Sequence, residues 1–184
     1  DAEGAISDQN IAIKLLPEEL DPYLNRGLAE EMLNQWDAAI EDYSWILERD
    51  PDNADALYNL GNVQNSLGNW EKAGVFFNKA MEKKLDFPMA RSSKALADYQ
   101  NDQLEEAESE LRSLIRKHPM FADARAALTA LLWQRGLVGE AESNWAAALG
   151  LDNRYSQTDW LLNIRRWPPK PIKDLKAFLD LKKS

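Results

Sequence analysis

A period of 34 residues constrains this chain more than any other feature of its sequence. Its clearest copy begins at Ala54, where Leu57, Leu60, Gly61 and Gln64 fall at i, i+3, i+4 and i+7. That spacing is one stripe of a helix, with glycine where a neighbouring helix must come close. Gly68 breaks the helix, and Asn69 is placed to cap a second one whose Ala73, Phe77 and Ala80 share a face. The unit is a helical hairpin with a small-residue seam. Shifted along the chain, its special positions recur. The turn position is Asn34, Gly68, Asp102 and Gly136, all tolerant of left-handed or capping geometry. The close-packing alanine is Ala39, Ala73, Ala107 and Ala141, and four residues beyond it stand Tyr43, Phe77, Leu111 and Trp145. Proline follows the second helix at Pro51 and Pro119, where a helix should stop. One hairpin cannot bury its own seam, so neighbours must stack into a solenoid that shares a continuous core.

These positions resemble the tetratricopeptide repeat (TPR) family, whose signature sets a large residue, Leu-Gly, an aromatic, Ala, an aromatic and Pro at fixed spacing. The second repeat, 54–87, keeps Leu57, Leu60-Gly61, Ala73, Phe77 and Ala80. The first, 20–53, keeps Tyr23, Gly27, Ala39, Tyr43 and Pro51 but has Arg26 where leucine is usual. The third, 88–121, has Arg91 and Lys94 at usually apolar positions and recovers at Ala95, Ala107 and Pro119. The fourth, 122–155, keeps Leu128, Ala141, Trp145 and Ala148, with Asn153 in place of the proline. The resemblance covers about 136 of the 184 residues. It implies an all-α fold, a right-handed α-solenoid of four helical hairpins plus C-terminal capping helices. Residues 1–19 precede the array, either as a short helix against the first hairpin or as a frayed end. Residues 156–184 read as a degenerate fifth repeat that caps it.

Composition narrows the function. A net charge of −9 and a pI near 4.7 argue against general nucleic-acid binding, which needs a basic footprint. With no cysteine and one histidine, disulfides, thiol catalysis, cysteine-ligated zinc and a Ser-His-Asp arrangement lack their parts. His118 reads as a cation at a helix C-terminus, and Glu105, Glu106, Glu108 and Glu110 as the solvated face of a helix. Tyr43, Phe77 and Trp145 are core by periodicity rather than a cofactor box. No enzyme activity, cofactor or metal is expected. No apolar run reaches the length of a membrane span, and no signal peptide is visible. The chain starts at Asp1, which reads as a processed or excised form, so a targeting segment or anchor can lie outside it.

The tail has its own pattern. Ser156 to Asp159 has capping-box-like spacing, and Trp160, Leu161, Ile164 and Trp167 make one face of a short helix that should end at Pro168-Pro169. Pro171 suits the first turn of a last helix with Ile172, Leu175, Phe178 and Leu179 on one stripe. From Arg154 on there are eight Lys and Arg against three Asp, a net of +5, which leaves −14 on the other 153 residues. A basic amphipathic helix of this kind either lies on an anionic membrane, with Lys173, Lys176, Lys182 and Lys183 on the headgroups, or closes the solenoid. Packing is favoured, because the solenoid end is always present at high effective concentration. The stretch 165–172, with Leu175, Phe178 and Leu179, also resembles the tail of plastid and cyanobacterial TPR proteins. That resemblance implies a chloroplast protein, associated with the thylakoid, that assists assembly or maintenance of photosynthetic complexes; the alternative location is the cytoplasm.

In the TPR family the first helix of each hairpin lines a concave groove. By that register the partner-binding candidates are Leu24, Asn25 and Leu28 in the first repeat and Tyr58, Asn59, Asn62 and Asn65 in the second. Leu96 and Tyr99 follow in the third, and Trp133 in the fourth. Asparagine carries both donor and acceptor and grips an extended backbone whatever its sequence, while aromatic residues with few rotatable bonds are good anchors. Asn25 and Asn59 occupy the position of the family's asparagine ladder, which Ser93 and Ala127 interrupt; the competing role for the two asparagines is a bond between adjacent repeats. A carboxylate clamp for chaperone tails is not expected, since its lysine, asparagine and arginine positions are largely unmatched. The expected function is a non-catalytic scaffold holding a protein or peptide segment. The alternatives are a self-associating structural module and a docking regulator of an enzyme. Membrane contact is expected only through the basic C-terminal helix or through segments outside this chain.

Overall fold

The computed structural model describes residues 1–181. Their regular structure is helical throughout. α1 (Ala2–Leu15) precedes four hairpins: α2 (Leu20–Met32) with α3 (Trp36–Arg49), α4 (Ala54–Ser66) with α5 (Trp70–Lys83), α6 (Pro88–Gln100) with α7 (Leu104–Lys117), and α8 (Ala122–Gln134) with α9 (Val138–Leu151). A single turn of 3-10 helix, Asn153–Ser156, leads to α10 (Thr158–Asn163) and α11 (Pro169–Leu181).

The repeated positions do what their spacing implies. Backbone φ is positive at Asn34 (57°), Gly68 (79°), Asp102 (64°) and Gly136 (74°), one residue in each hairpin turn. Only glycine, or a short polar side chain, adopts that region readily, which accounts for the residue types found there. Ala39, Ala73, Ala107 and Ala141 are fully buried, as are Tyr43, Phe77 and Leu111, with Trp145 nearly so. Gly61 faces the Phe77 ring so closely that a Cβ at that position would sit 2.5 Å from Cε1. Asn69 departs from expectation: it stands at the N-cap of α5 without a side-chain cap and donates instead to Gln64 Oε1 at 3.1 Å.

Successive first helices touch, α2 with α4, α4 with α6 and α6 with α8, whereas α3, α5, α7 and α9 make no comparable contact with one another. The array therefore curves with the first helices inside. α1 packs along α2, where Ile13 joins the first apolar cluster and the Asn10 side chain accepts from Arg26 at 2.6 Å. Arg26, the departure from leucine, is held by Asp42 through Nε at 2.8 Å and Nη2 at 2.6 Å, so the polar replacement is satisfied across the α2–α3 seam. Arg91 pairs with Glu110 and Lys94 with Asp98, which keeps both cations tolerable on partly covered faces.

Two expectations about the tail fail. Ser156 is not a cap, since its hydroxyl donates to Asn153 O at 2.7 Å and the N-cap of α10 is Gln157. The helix also stops at Asn163 rather than at the prolines. The chain turns at Arg166 with φ 54°, which leaves Ile164 66% exposed while Trp167 is buried. The placement of the last helix differs more. A fifth repeat would stack beyond α9, but α11 lies mainly against α8 and reaches α6, the inner helices. The tail fills part of the groove instead of extending the solenoid, because Leu175 and Phe178 find their apolar partners there.

Candidate functional site

The concave face is divided in two by the chain's own C-terminal segment. In the half formed by α6 and α8, α11 covers the surface. Phe178 meets Trp133 with ring centroids 5.7 Å apart and Trp145 at 6.0 Å, and the Tyr99 hydroxyl donates to Asp174 at 2.9 Å. Leu96 is 3% exposed in the same apolar cluster. Leu96 and Tyr99, buried, and Trp133, half-buried against Phe178, are thus corrected from partner-binding candidates to residues of the cluster that holds the tail. They do form an apolar contact surface, as their register implies, but no spacing rule reveals that the occupant is intramolecular. The stripe assigned to lipid in the membrane reading is equally engaged: Leu175 and Phe178 are buried, and Ile172 and Leu179 pack on the same cluster. Lys182 and Lys183 lie outside the described residues.

Between α10 and α11, residues 164–168 form a strap that crosses the groove towards the first two hairpins. Its anchor on α8 is Asp123, whose side chain is closed to solvent. Asp123 Oδ1 lies 2.8 Å from Arg165 Nη2 and accepts from Trp167 Nε1 at 3.1 Å and the Tyr155 hydroxyl at 2.9 Å, while Oδ2 accepts from Ser92 at 2.6 Å. Burial pushes this carboxyl up, but the Arg165 guanidinium and the hydrogen bonds from Ser92 and Trp167 outweigh it and hold it below the ordinary aspartate value. Sequence reading misses Asp123 as a hub. Its only signal is an acidic residue on the inner face with two arginines far downstream.

At the other end of the strap, Arg166 pairs with Glu31 of α2, which is 3% exposed and also accepts from the Tyr43 hydroxyl at 2.5 Å. The Arg166 guanidinium lies 5.3 Å from the Trp36 ring centroid, and burial holds its pKa below the ordinary arginine value. The Asn65 side-chain amide donates to the Arg166 carbonyl at 2.6 Å. Asn65 therefore holds a backbone carbonyl at the turn of the strap, one supplied by its own chain.

The other half of the groove is open. A cleft of about 250 Å³ is lined by Leu28, Met32, Tyr58, Asn59, Asn62 and Ile164, together with the charged Glu31, Arg165 and Arg166. Leu28 is 42% and Met32 70% exposed, one turn apart on α2. The side chains of Asn59 and Asn62 make no hydrogen bond among the described residues, so the alternative in which Asn59 only ties adjacent repeats together has no such bond behind it. Asn25 is exposed on the same helix as Leu28, whereas Leu24 packs into the first apolar cluster. The structure thus brings Leu28, Tyr58, Asn59 and Asn62 together, sets Asn65 against the strap, and leaves Asn25 apart.

His118 caps α7 with Nε2 3.0 Å from Asp86 Oδ1, at the surface and away from the groove. Glu108 is paired with Arg112 and Arg135, so the acidic run is partly neutralised. No group of three or more metal-ligating side chains occurs among the described residues, and none of their helices is long and apolar enough to cross a membrane.

A family model described as tetratricopeptide repeat matches residues 24–84 and 93–155, more than half of the chain. None of the curated proteins matches it significantly. Solved structures do. YrrB, described as a TPR protein with an unusual peptide-binding site, is 22% identical with a TM-score of 0.68 over 96% of this chain and 93% of that one. TTC0263, a thermophilic TPR protein of Thermus thermophilus, is 17% identical with a TM-score of 0.73 over 97% and 90%. MamA from Desulfovibrio magneticus RS-1, from residue 41 to its end, is 17% identical with a TM-score of 0.71 over 85% and 87%. At these identities the likeness shows the fold alone.

Proposed function

The chain belongs to the tetratricopeptide repeat family, and from that premise we propose that it is a non-catalytic scaffold holding an extended segment of a partner protein in the open half of its groove. The observation that carries this reading is the pair Asn59 and Asn62. Their amides make no hydrogen bond among the described residues and border a cleft with apolar walls at Leu28, Met32 and Tyr58. An extended peptide needs donors and acceptors for its backbone and apolar surface for its side chains, and this cleft offers both. Asn65 on the Arg166 carbonyl is an asparagine of the same helix donating to a backbone carbonyl, here at a turn. The peptide-binding site named for YrrB is a precedent in the same fold.

The finer reading is a chloroplast protein at the thylakoid that assists assembly or maintenance of a photosynthetic complex. What supports it is the resemblance of the stretch 165–172 and the stripe after it to tails of plastid and cyanobacterial TPR proteins. Capture of partners from source tissue, with wild-type protein and the Asn59→Ala/Asn62→Ala double variant as baits, tests the groove. A complex subunit retained by the wild type and lost by the variant is expected; equal retention refutes the site. Immunoblotting of stroma and thylakoid fractions tests the location, and absence from both removes the finer reading.

A further inference from the structure

Glu31 is a buried carboxylate in the lining of the open cleft, and the guanidinium on it comes from Arg166. Arg166 is held by Glu31, Trp36 and Asn65, but in a strained backbone. Its φ of 54° is unfavourable for a side-chain-bearing residue outside a hairpin turn. Arg166 lines both the 250 Å³ cleft and a second cleft of about 360 Å³ that Trp36, Trp70 and Pro168 share. Beside the second cleft, Asn65 Oδ1 and Trp70 Nε1 are buried without a hydrogen-bond partner among the described residues, so the polar groups next to Arg166 are incompletely satisfied. The neighbouring contacts differ: Arg165 and Trp167 close over Asp123, and α11 is anchored by Leu175 and Phe178.

We propose that the partner's segment carries an arginine that takes Glu31 over from Arg166, so that the groove selects arginine-bearing extended peptides. This rests on the reading of the groove as a peptide site and names the chemistry of its occupant. A neutral or acidic segment that dislodged Arg166 would leave a buried carboxylate unpaired; a segment bringing its own guanidinium would not. Lysine is a poorer substitute, because the planar fork satisfies a carboxylate that already accepts from Tyr43 and stacks on Trp36 as Arg166 does. Asn59 and Asn62 lie along the same cleft to take the flanking backbone. The net −14 of residues 1–153 attracts a cationic partner at long range.

The probe is a fluorescein-labelled peptide copying residues 161–170, titrated by anisotropy into the full chain, beside the same peptide with both arginines replaced by glutamine. The arginine peptide is expected to bind at least about tenfold more tightly than the glutamine peptide. Binding should strengthen about tenfold on Arg166→Gly, which removes the competitor while suiting the positive φ, and be lost on Glu31→Gln, which retains an acceptor for Tyr43. Circular dichroism confirms that both variants are folded. Equal binding of the two peptides, or affinity unmoved by both variants, overturns the proposal, as does self-association of the chain that the arginine peptide cannot disrupt. If the arginine peptide fails while tissue capture still depends on Asn59 and Asn62, arginine selection is wrong and the interaction reading stands; capture that ignores those asparagines removes the reading itself.

Discussion

Asp123 and Arg165, 42 residues apart in sequence, meet with Nη2 2.8 Å from Oδ1 at a site where the carboxylate is wholly withdrawn from water. The pair fastens the strap to α8 and fixes where the open groove ends. Such a contact contributes little over a well-packed apolar replacement, but removing one partner strands the other. Asp123→Ala should therefore destabilise the protein by about 3–5 kcal/mol, and Arg165→Met by a similar amount. Urea denaturation measures both, and a loss below about 1 kcal/mol for either would mean that water reaches the surviving charge.

Gly61 and Phe77 provide a steric test of the hairpin seam. A Cβ at Gly61 would press on the ring at 2.5 Å, so Gly61→Ala should cost about 1–3 kcal/mol despite the higher helix propensity of alanine. At Gly139, also helical, a Cβ would meet nothing within 4 Å, and Gly139→Ala should be neutral or stabilising by up to about 1 kcal/mol. Equal shifts in denaturant midpoint for the two would refute the packing assigned to Gly61.

Stability should depend on pH through two carboxyls of opposite sign. Burial, then the charge of Asp42, push Glu30 up to about 7 against the pull of Arg26. A folded pKa above the unfolded value means that its contribution is complete below pH ~4.5 and is lost as pH rises through about 7. Asp123, held below 3.8, contributes above that value and loses its contribution as pH falls through the folded pKa. Glu30→Gln should flatten the decline in Tm between pH ~5 and ~8 and leave the acid limb intact. A decline as steep as that of the wild type would show that Glu30 is already ionised at the acid end of that range.

Deleting residues 168–184 should lower Tm clearly, because Leu175 and Phe178 are buried and each such side chain contributes about 1.5–3 kcal/mol. The intact protein should not sediment with anionic liposomes, since the apolar stripe that lipid would need is packed against α8. Unchanged Tm together with liposome binding lost on deletion would make the tail a membrane foot.

Asn59→Ala should weaken partner binding by about 0.5–1.5 kcal/mol, roughly 2- to 12-fold in Kd, with Tm unmoved. Asn59 is only 6% exposed, but no hydrogen bond within the described residues is removed, and the small space left opens onto the cleft that Asn59 lines. A fall in Tm without a change in Kd would assign Asn59 to the joint between repeats.

The hairpins are legible in the amino-acid order alone. Turn chemistry at Asn34, Gly68, Asp102 and Gly136, and the alanine and large residue that follow each turn, are local signals repeated at a fixed period, so each copy corroborates the others. The apolar stripe of the last helix is legible for the same reason. Where that stripe goes is settled in three dimensions. Leu175 and Phe178 satisfy the same hydrophobic demand at the end of a solenoid or inside its curve, and burial has no directional preference that a helical period would register. The strap is less legible still. Arg165, Arg166 and Trp167 read as the end of a helix, and nothing near them in the chain points to Asp123 or Glu31. Those pairings span 42 and 135 residues and exist because the curvature of the stack brings α2, α4 and α8 around one groove. Leu96, Tyr99 and Trp133 are groove residues by register, but whether a groove is open or filled depends on a segment that folds back onto it. Periodicity therefore sets the surface, and long-range charge pairing and burial choose its occupant.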